Sequence, residues 1–311
     1  MPTIPRPHIP RLNIPRLTAT PAVPANTGAV FITGASTGIG AATALHLAAL
    51  GHRVFAGVRK AEDGEALQRR GGVLIVPVII DVTSAASIVS AMQTVGAAAG
   101  VGGLGALVNN AGIAVSGAWE YVARERLLNQ FEVNVFGTVA VTQAFLPLVR
   151  RGKGRIVIVT SIAGKHAPPF YGPYAASKHA LEAFGDSLRL ELRPWGIPVS
   201  LIEPGAIDTP IWDKGLSLAD EVMNEMPADA RDRYAPYIEA ARRSGEKAGR
   251  NGIAPERVAE AIAHAVRSPR PETRYFVGRD ARLRAIAMRV LPDRVMDTLT
   301  WTGMKMPNRP R

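Results

Sequence analysis

Tyr174 and Lys178 stand four residues apart in Gly172-Pro173-Tyr174-Ala175-Ala176-Ser177-Lys178, in a stretch whose apolar spacing reads as the start of a long helix. That spacing brings both side chains to one helical face. A phenol is a weak acid with a reference pKa of about 10, and a neighbouring ammonium favours its ionised form. Such a pair can give a proton to, or take one from, an alcohol or ketone. Tyr-x-x-x-Lys is also common by chance, where it means only a lysine stem lying along an exposed helix. The pair therefore needs support from elsewhere in the chain.

Support begins at Ala29-Val30-Phe31-Ile32-Thr33, a short β-branched and apolar run that stops at the turn Gly34-Ala35-Ser36-Thr37-Gly38-Ile39-Gly40. From Ile39 to Leu50 apolar residues recur at helical spacing, and Gly51 closes the segment. Strand, glycine turn and helix in that order form a phosphate-binding geometry. Glycine lets the backbone approach a pyrophosphate, and the helix N-terminus offers unpaired N–H groups and partial positive charge.

With these residues in view, the chain resembles the short-chain dehydrogenase/reductase superfamily, in the variant whose cofactor turn reads Thr-Gly-x-x-x-Gly-x-Gly, matched in full by residues 33–40. The resemblance continues through Asn109-Asn110-Ala111-Gly112, Asn134 in Asn134-Val135-Phe136-Gly137, Ser161, the Tyr174/Lys178 pair, and Pro204-Gly205 followed by Thr209. It spans roughly residues 28–278, and six motifs in order make coincidence a poor explanation. Locally, Ser177-Lys178-His179-Ala180-Leu181-Glu182-Ala183-Phe184 and Ile202-Glu203-Pro204-Gly205 resemble the retinol, 17β-hydroxysteroid and D-β-hydroxybutyrate dehydrogenase branch.

The resemblance implies a catalytic set of Asn134, Ser161, Tyr174 and Lys178. Tyr174 would exchange the hydroxyl proton, Lys178 would lower the Tyr174 pKa and bind the nicotinamide ribose, and Ser161 would hold the substrate oxygen. Asn134 would mark a helix irregularity through which water links the lysine to solvent. The implied cofactor contacts are Gly34, Ser36, Thr37, Gly38, Ile39 and Gly40 in the turn, Asp81 and Val82 at the adenine, Asn109, Ala111 and Gly112 after the fourth strand, Tyr174, Lys178, Pro204 and Gly205, and Thr209 near the nicotinamide amide. Asp81 has a second reading, as cap of a helix beginning near Ser84. NAD-using relatives carry an acid where this chain has Val58, and Arg59 follows, so NADP(H) is expected over NAD(H), which stays open. Thr37 stands against this, because many NADP-binding relatives are basic there.

Strand-like runs alternate with helix-like runs, which predicts an α/β fold: a Rossmann-type, doubly wound, seven-stranded parallel sheet flanked by helices in a single domain. The predicted strands are residues 29–33, 53–58, 74–80, 106–109, 155–161, 198–203 and 274–277. Long helices are expected over 124–151 and 174–193, the elements by which relatives pair, so a homodimer or homotetramer is expected. The dehydrogenase domain is expected over 28–278, with residues 206–252 as the substrate lid. Ile207, Ile211, Trp212, Leu216, Leu218, Met223, Met226, Tyr234 and Tyr237 in that lid predict an apolar, adaptable pocket for a steroid, retinoid or fatty-chain alcohol or ketone.

The 311 residues carry a formal charge of +11, but three arginines lie in residues 1–27 and eight Lys/Arg against three Asp lie in 279–311. Basic ends on a nearly neutral body, with no helix-turn-helix or zinc finger, exclude nucleic acid as the expected partner. Absence of cysteine removes thiolate chemistry and cysteine zinc sites, and the scattered histidines show no metal-ligand spacing. No metal is expected. The Ile-Pro-Arg repeats of residues 1–27 predict a flexible arm, or one that packs on a neighbour. Residues 279–311 read as a basic amphipathic extension that packs on the body or touches a membrane surface. With no signal-peptide pattern, a cytoplasmic protein is expected. A rival reading, a nucleotide-binding sensor or scaffold on the same fold, would usually have lost one of the four catalytic residues.

Overall fold

The computed structural model describes residues 28–308, so the Ile-Pro-Arg arm of residues 1–27 lies outside the described residues. Seven strands form one sheet: β1 (Val30–Ile32), β2 (Val54–Val58), β3 (Ile75–Ile79), β4 (Ala106–Asn109), β5 (Arg155–Val159), β6 (Val199–Pro204) and β7 (Arg274–Val277). All pair in parallel, in the order β3-β2-β1-β4-β5-β6-β7. All seven predicted strands are present, with ends shifted by at most two residues. β2 and β5 are buried at every position, because helices cover both faces of the sheet and leave no reason for polar alternation.

One face is closed by α1 (Gly38–Ala49) and α9 (Pro255–Arg267), whose Ala41, Ala44, Ala48, Ala259 and Ala263 let the two helices approach closely over Val30, Ile32 and Val157. The other is closed by α3 (Ala85–Ala99), α5 (Gly137–Arg151) and α6 (Gly172–Leu192), with Phe31 stacked on Phe145 at 4.3 Å between ring centroids. α2 (Ala61–Gly71) follows β2 and packs beside β3. Residues 85–102 and 124–151 are long and apolar enough to cross a membrane by length and composition. Both instead lie along the sheet, where Ile88, Ala91, Val95, Val141, Phe145 and Leu148 belong to the core.

The expected helix over 124–151 is interrupted. α4 (Arg124–Phe131) passes into a π-turn at Glu132–Phe136 before α5 begins. A π-turn widens the backbone ring by one residue and turns side chains away from their regular positions, a device that recurs at functional sites. The strand order reverses between β1 and β4, and a ligand crevice opens beyond the carboxyl ends of strands at such a point. α7 (Ile211–Glu225) and α8 (Ala228–Arg250) rise over that end of the sheet. Beyond β7 the chain forms α10 (Arg279–Val290) and α11 (Asp293–Gly303), separated at Leu291-Pro292 because proline cannot continue the preceding helix.

Candidate active site

The phosphate-binding turn is built by contacts between β1 and β4. Thr33 Oγ1 accepts hydrogen bonds from the Asn110 and Ala111 backbone N–H groups at 3.0 and 3.1 Å. Asn110 Nδ2 donates to the Thr33 and Gly34 carbonyls, each at 3.0 Å. Gly34 and Gly38 have φ of +66° and +55°, a region costly for any side chain, and a Cβ on Gly40 would lie 2.2 Å from the Gly34 carbonyl oxygen. At the start of α1, Thr37 makes no side-chain cap hydrogen bond and the first turn holds no acid. Its N–H groups are thus left to an anion, so the cradle fits a pyrophosphate.

Ser36, Thr37, Gly38, Ile39, Arg59, Asp81, Val82, Ala111, Gly112, Pro204, Gly205 and Thr209 all line one large cavity with Gly34. Gly40 lies behind the wall, closed on Gly34. Asn109 is displaced from its expected place: it is buried, donates from Nδ2 to Thr142 Oγ1 at 2.9 Å, and ties β4 to α5. The adjacent Asn110 reaches the cavity, because successive strand residues point to opposite faces. Asp81 is not the cap of α3, whose Ser84 accepts from the Ser87 N–H. Instead Thr83 donates to Asp81 Oδ1 from its backbone at 2.9 Å and its hydroxyl at 2.7 Å, holding that carboxyl below its usual range, with Arg59 adding to the effect. Arg59 is exposed at the cavity edge; Val58 also lines the cavity but is 2% exposed and packs into the core.

The four catalytic candidates converge from three elements. Tyr174 and Lys178 stand on α6, Ser161 follows β5, and Asn134 sits in the π-turn. A hydrogen bond joins Ser161 to Tyr174 and lowers the phenol pKa, while burial, the larger influence, raises it. Lys178 Nζ lies 5.6 Å from the Tyr174 ring centroid and donates to the Val159 carbonyl at 2.9 Å. Burial pushes its ammonium down to about 8, opposed by Glu182 one turn further along. The expectation that Lys178 lowers the Tyr174 pKa is therefore corrected: burial raises it and the Ser161 hydrogen bond lowers it, while the ammonium is turned towards the Val159 carbonyl.

Asn134 does not line the cavity. It is fully buried, accepts from the Ile113 N–H at 2.9 Å, and donates to the Ile113 carbonyl and Ser177 Oγ, each at 3.0 Å. A Cβ on Gly112 would lie 3.4 Å from Asn134 Oδ1 and 3.7 Å from Lys178 Nζ, so only a glycine-sized residue separates the two. Gln130, four residues before Asn134, performs the same work one step along: it accepts from Val115 N–H at 2.6 Å and donates to the Ile113 carbonyl at 2.9 Å. Sequence reading missed Gln130. Its only signal was the spacing of four from Asn134, on one helix face.

The cavity measures about 1110 Å³ and extends from the phosphate turn past Tyr174 beneath the lid. Ile207, Ile211, Trp212, Leu216, Leu218, Met223 and Met226 line it as expected, whereas Tyr234 and Tyr237 do not. Tyr234 donates to Glu120 at 2.8 Å and Tyr237 packs on Trp301, so both fasten the lid. Ion pairs of Arg126 with Glu221 and Glu225, and of Arg242 with Asp220, tie α7 to α4 and α8. α10 and α11 complete the wall with Leu283, Arg284, Met296, Leu299 and Thr300, the last bonded to His166 Nε2 at 2.8 Å. Among the described residues no cluster of His, Asp or Glu is arranged to hold a metal.

Known proteins match this geometry along nearly the whole chain. The NADPH-dependent 3-dehydrocapnine reductase of Ornithobacterium rhinotracheale is 34% identical over 88% of this chain and 96% of that protein. The 17-beta-hydroxysteroid dehydrogenase type 6 of Bos taurus is 37% identical over 88% of each chain, which accords with the branch resembled by the sequence. Two solved short chain dehydrogenases share the fold at 26% identity. One, from Burkholderia cenocepacia J2315 with NADP, gives a TM-score of 0.67 over 91% of this chain and 99% of that one. The other, from Burkholderia phymatum with NAD, gives 0.71 over 86% and 96%. Residues 28–217 match the short chain dehydrogenase family model, and with these relatives they establish that the chain belongs to the short chain dehydrogenase family.

Proposed function

We propose that this protein transfers a hydride between a nicotinamide cofactor, NADP(H) in preference to NAD(H), and the carbinol carbon of an apolar secondary alcohol or its ketone. The carrying observation is the placement of Ser161 and Tyr174 on the wall of one apolar-lidded cavity that begins at an uncapped, glycine-built helix N-terminus. The nicotinamide supplies or accepts the hydride. Tyr174 exchanges the proton of the substrate oxygen, and Ser161 holds that oxygen and stabilises the charge on it. Lys178 keeps positive charge behind the phenol, and Asn134 with Gln130 fixes the 113–115 loop that floors the site. Steroid, retinoid or fatty-chain compounds suit the lid better than sugars.

We place the protein in the cytoplasm as a homodimer or homotetramer; the exposed Phe136 and Leu190, by α5 and on α6, support pairing through those helices. A panel of apolar and polar ketones, assayed with NADPH and NADH, tests the reading. Turnover confined to polar substrates overturns the substrate class, and tight cofactor binding without any turnover favours the silent scaffold.

Cofactor preference rests on Arg59 at the cavity edge with no acid at Val58, and on the NADPH dependence of the Ornithobacterium relative. Arg59→Ala removes an exposed guanidinium and no core contact. Charge-assisted hydrogen bonds are worth about 1.5–3 kcal/mol, so kcat/KM with NADPH is expected to fall about 10- to 100-fold while that with NADH stays level. An unchanged ratio of the two makes Arg59 an ordinary surface residue. Val58→Asp is the poorer probe, since Val58 lines the cavity at only 2% exposure and a new carboxylate there would be largely desolvated.

A further inference from the structure

The helices α10 and α11 cover part of the cavity, yet their outward faces are apolar. On α10, Leu283, Ile286 and Val290 are 69%, 61% and 70% exposed and fall at i, i+3 and i+7, so they form one ridge. On α11, Val295 and Leu299 are 42% and 54% exposed, four residues apart. Leu283 and Leu299 also line the cavity, which places its mouth between the two ridges. Ordinary burial does not explain these side chains, because on α10 it is Ala281 that is buried and Ala285, Ala287 and Met288 that are half-buried.

Arginines frame the ridge. Arg279, Arg282 and Arg289 follow one flank of α10 along a groove shared with β7, and Arg284 stands on the cavity flank. Arg294 opens α11 and Lys305 follows it. Among the described residues none of these six is in an ion pair. The acids present are Asp280, which accepts from the Ala206 N–H at 2.9 Å, and Asp293 and Asp297 on α11. The surface is therefore apolar at its crest and positive at its rim.

We propose that the α10–α11 ridge docks on an anionic lipid bilayer, so that the cavity mouth opens onto the membrane rather than into water. An amphipathic helix with an apolar crest and basic flanks is matched by acyl chains below and anionic headgroups around it. A second copy of the chain fits less well, since an isologous contact sets each arginine flank near like charge. Passage of substrate from the bilayer into the cavity rests on the apolar-substrate reading above. Docking does not, and it is tested without substrate.

Full-length protein is sedimented with vesicles of phosphatidylcholine alone or with about 30% phosphatidylglycerol, whose anionic headgroups give the surface a negative potential. Binding is expected only with the anionic vesicles, weakened by high salt, and lost in the double variant Ile286→Glu/Val290→Glu with cofactor binding retained. Undiminished binding by that variant overturns the proposal and moves the contact to another surface, the basic N-terminal arm included. So does equal binding to both vesicle types, or a fall in oligomer mass in the variant with vesicle binding intact, which assigns the ridge to a second copy. Because the chain has no cysteine, Val290→Cys carrying a polarity-sensitive dye gives a second measurement that does not depend on the double variant folding. Its emission must shift to the blue with anionic vesicles, while the same dye at Val73→Cys, on an exposed site beside β3 at the far edge of the sheet, stays unchanged. No shift at Val290 sinks the idea.

Discussion

Tyr174→Phe is expected to lower kcat by about 10³-fold or more while leaving the fold and cofactor affinity near wild type, because general acid–base groups supply about 10²–10⁴ and only a hydroxyl is removed. The ring keeps its packing on α6, and the phosphate turn is untouched, since its hydrogen bonds run among Thr33, Gly34, Asn110 and Ala111. The hydroxyl has no substitute: among the described residues Ser161 is the side chain that bonds it, and Lys178 donates to Val159. The measurement is steady-state turnover of the best ketone with cofactor dissociation determined separately. A variant retaining a tenth of wild-type kcat refutes the proton-transfer role. Loss of cofactor binding in parallel would instead mark the Tyr174 hydroxyl as a cofactor contact rather than the proton donor alone.

The parts of this site that the sequence discloses are local ones. The turn at residues 33–40 and the pair at 174 and 178 each lie within one strand–turn–helix or one helical turn, where spacing alone decides which side chains meet. The seven strands were legible for the same reason: buried runs between glycine and proline punctuation have few alternative states. Errors arise where a single residue of phase matters. Asn109 and Asn110 are adjacent amides, and only the strand's pleat decides that the first bonds Thr142 under α5 while the second closes the phosphate turn. The π-turn at 132–136 was readable only through the resemblance, because apolar periodicity passes smoothly over one extra residue in a ring.

Long-range charge was not legible at all. Glu182, Asp186, Glu203 and Arg274 come from α6, β6 and β7, and no spacing rule connects positions so far apart in sequence. The folded sheet brings them together beneath Lys178: Arg274 meets Glu182 at 3.0 Å, Asp186 at 2.8 Å and Glu203 at 3.0 Å, while Lys165 pairs with Glu182 at 2.6 Å. The C-terminal extension shows the same limit. Its amphipathic pattern was plain, but the choice of which face would meet the body depended on where Pro292 broke the helix and where the cavity lay.

Arg274→Met should destabilise the protein by about 3–5 kcal/mol near neutral pH, the usual cost of removing one partner from a buried ion pair. Glu203 is fully buried, and although Arg274 Nε lies 3.0 Å from its Oε1, neither carboxylate oxygen accepts a well-aligned hydrogen bond. Burial and the neighbouring Glu182 push its pKa up to about 7, with Lys165 and Arg274 pulling the other way. A carboxyl raised on folding favours the folded state while protonated, so its contribution is full below its ordinary range and is lost as pH rises through about 7. Without the guanidinium that pKa rises further and the loss deepens. Asp186 acts in the opposite sense, since Arg274 lowers its pKa and its contribution disappears only as pH falls through the acid range, below the window tested. Urea unfolding at pH 5.5 and pH 8 should therefore show a larger deficit for the variant at pH 8. Adding Glu203→Gln should recover part of it there and little at pH 5.5, because the amide carries no charge to desolvate. A deficit below about 1 kcal/mol at pH 8, the worth of an exposed pair, would mean that water screens the cluster and that the buried carboxylates need no guanidinium.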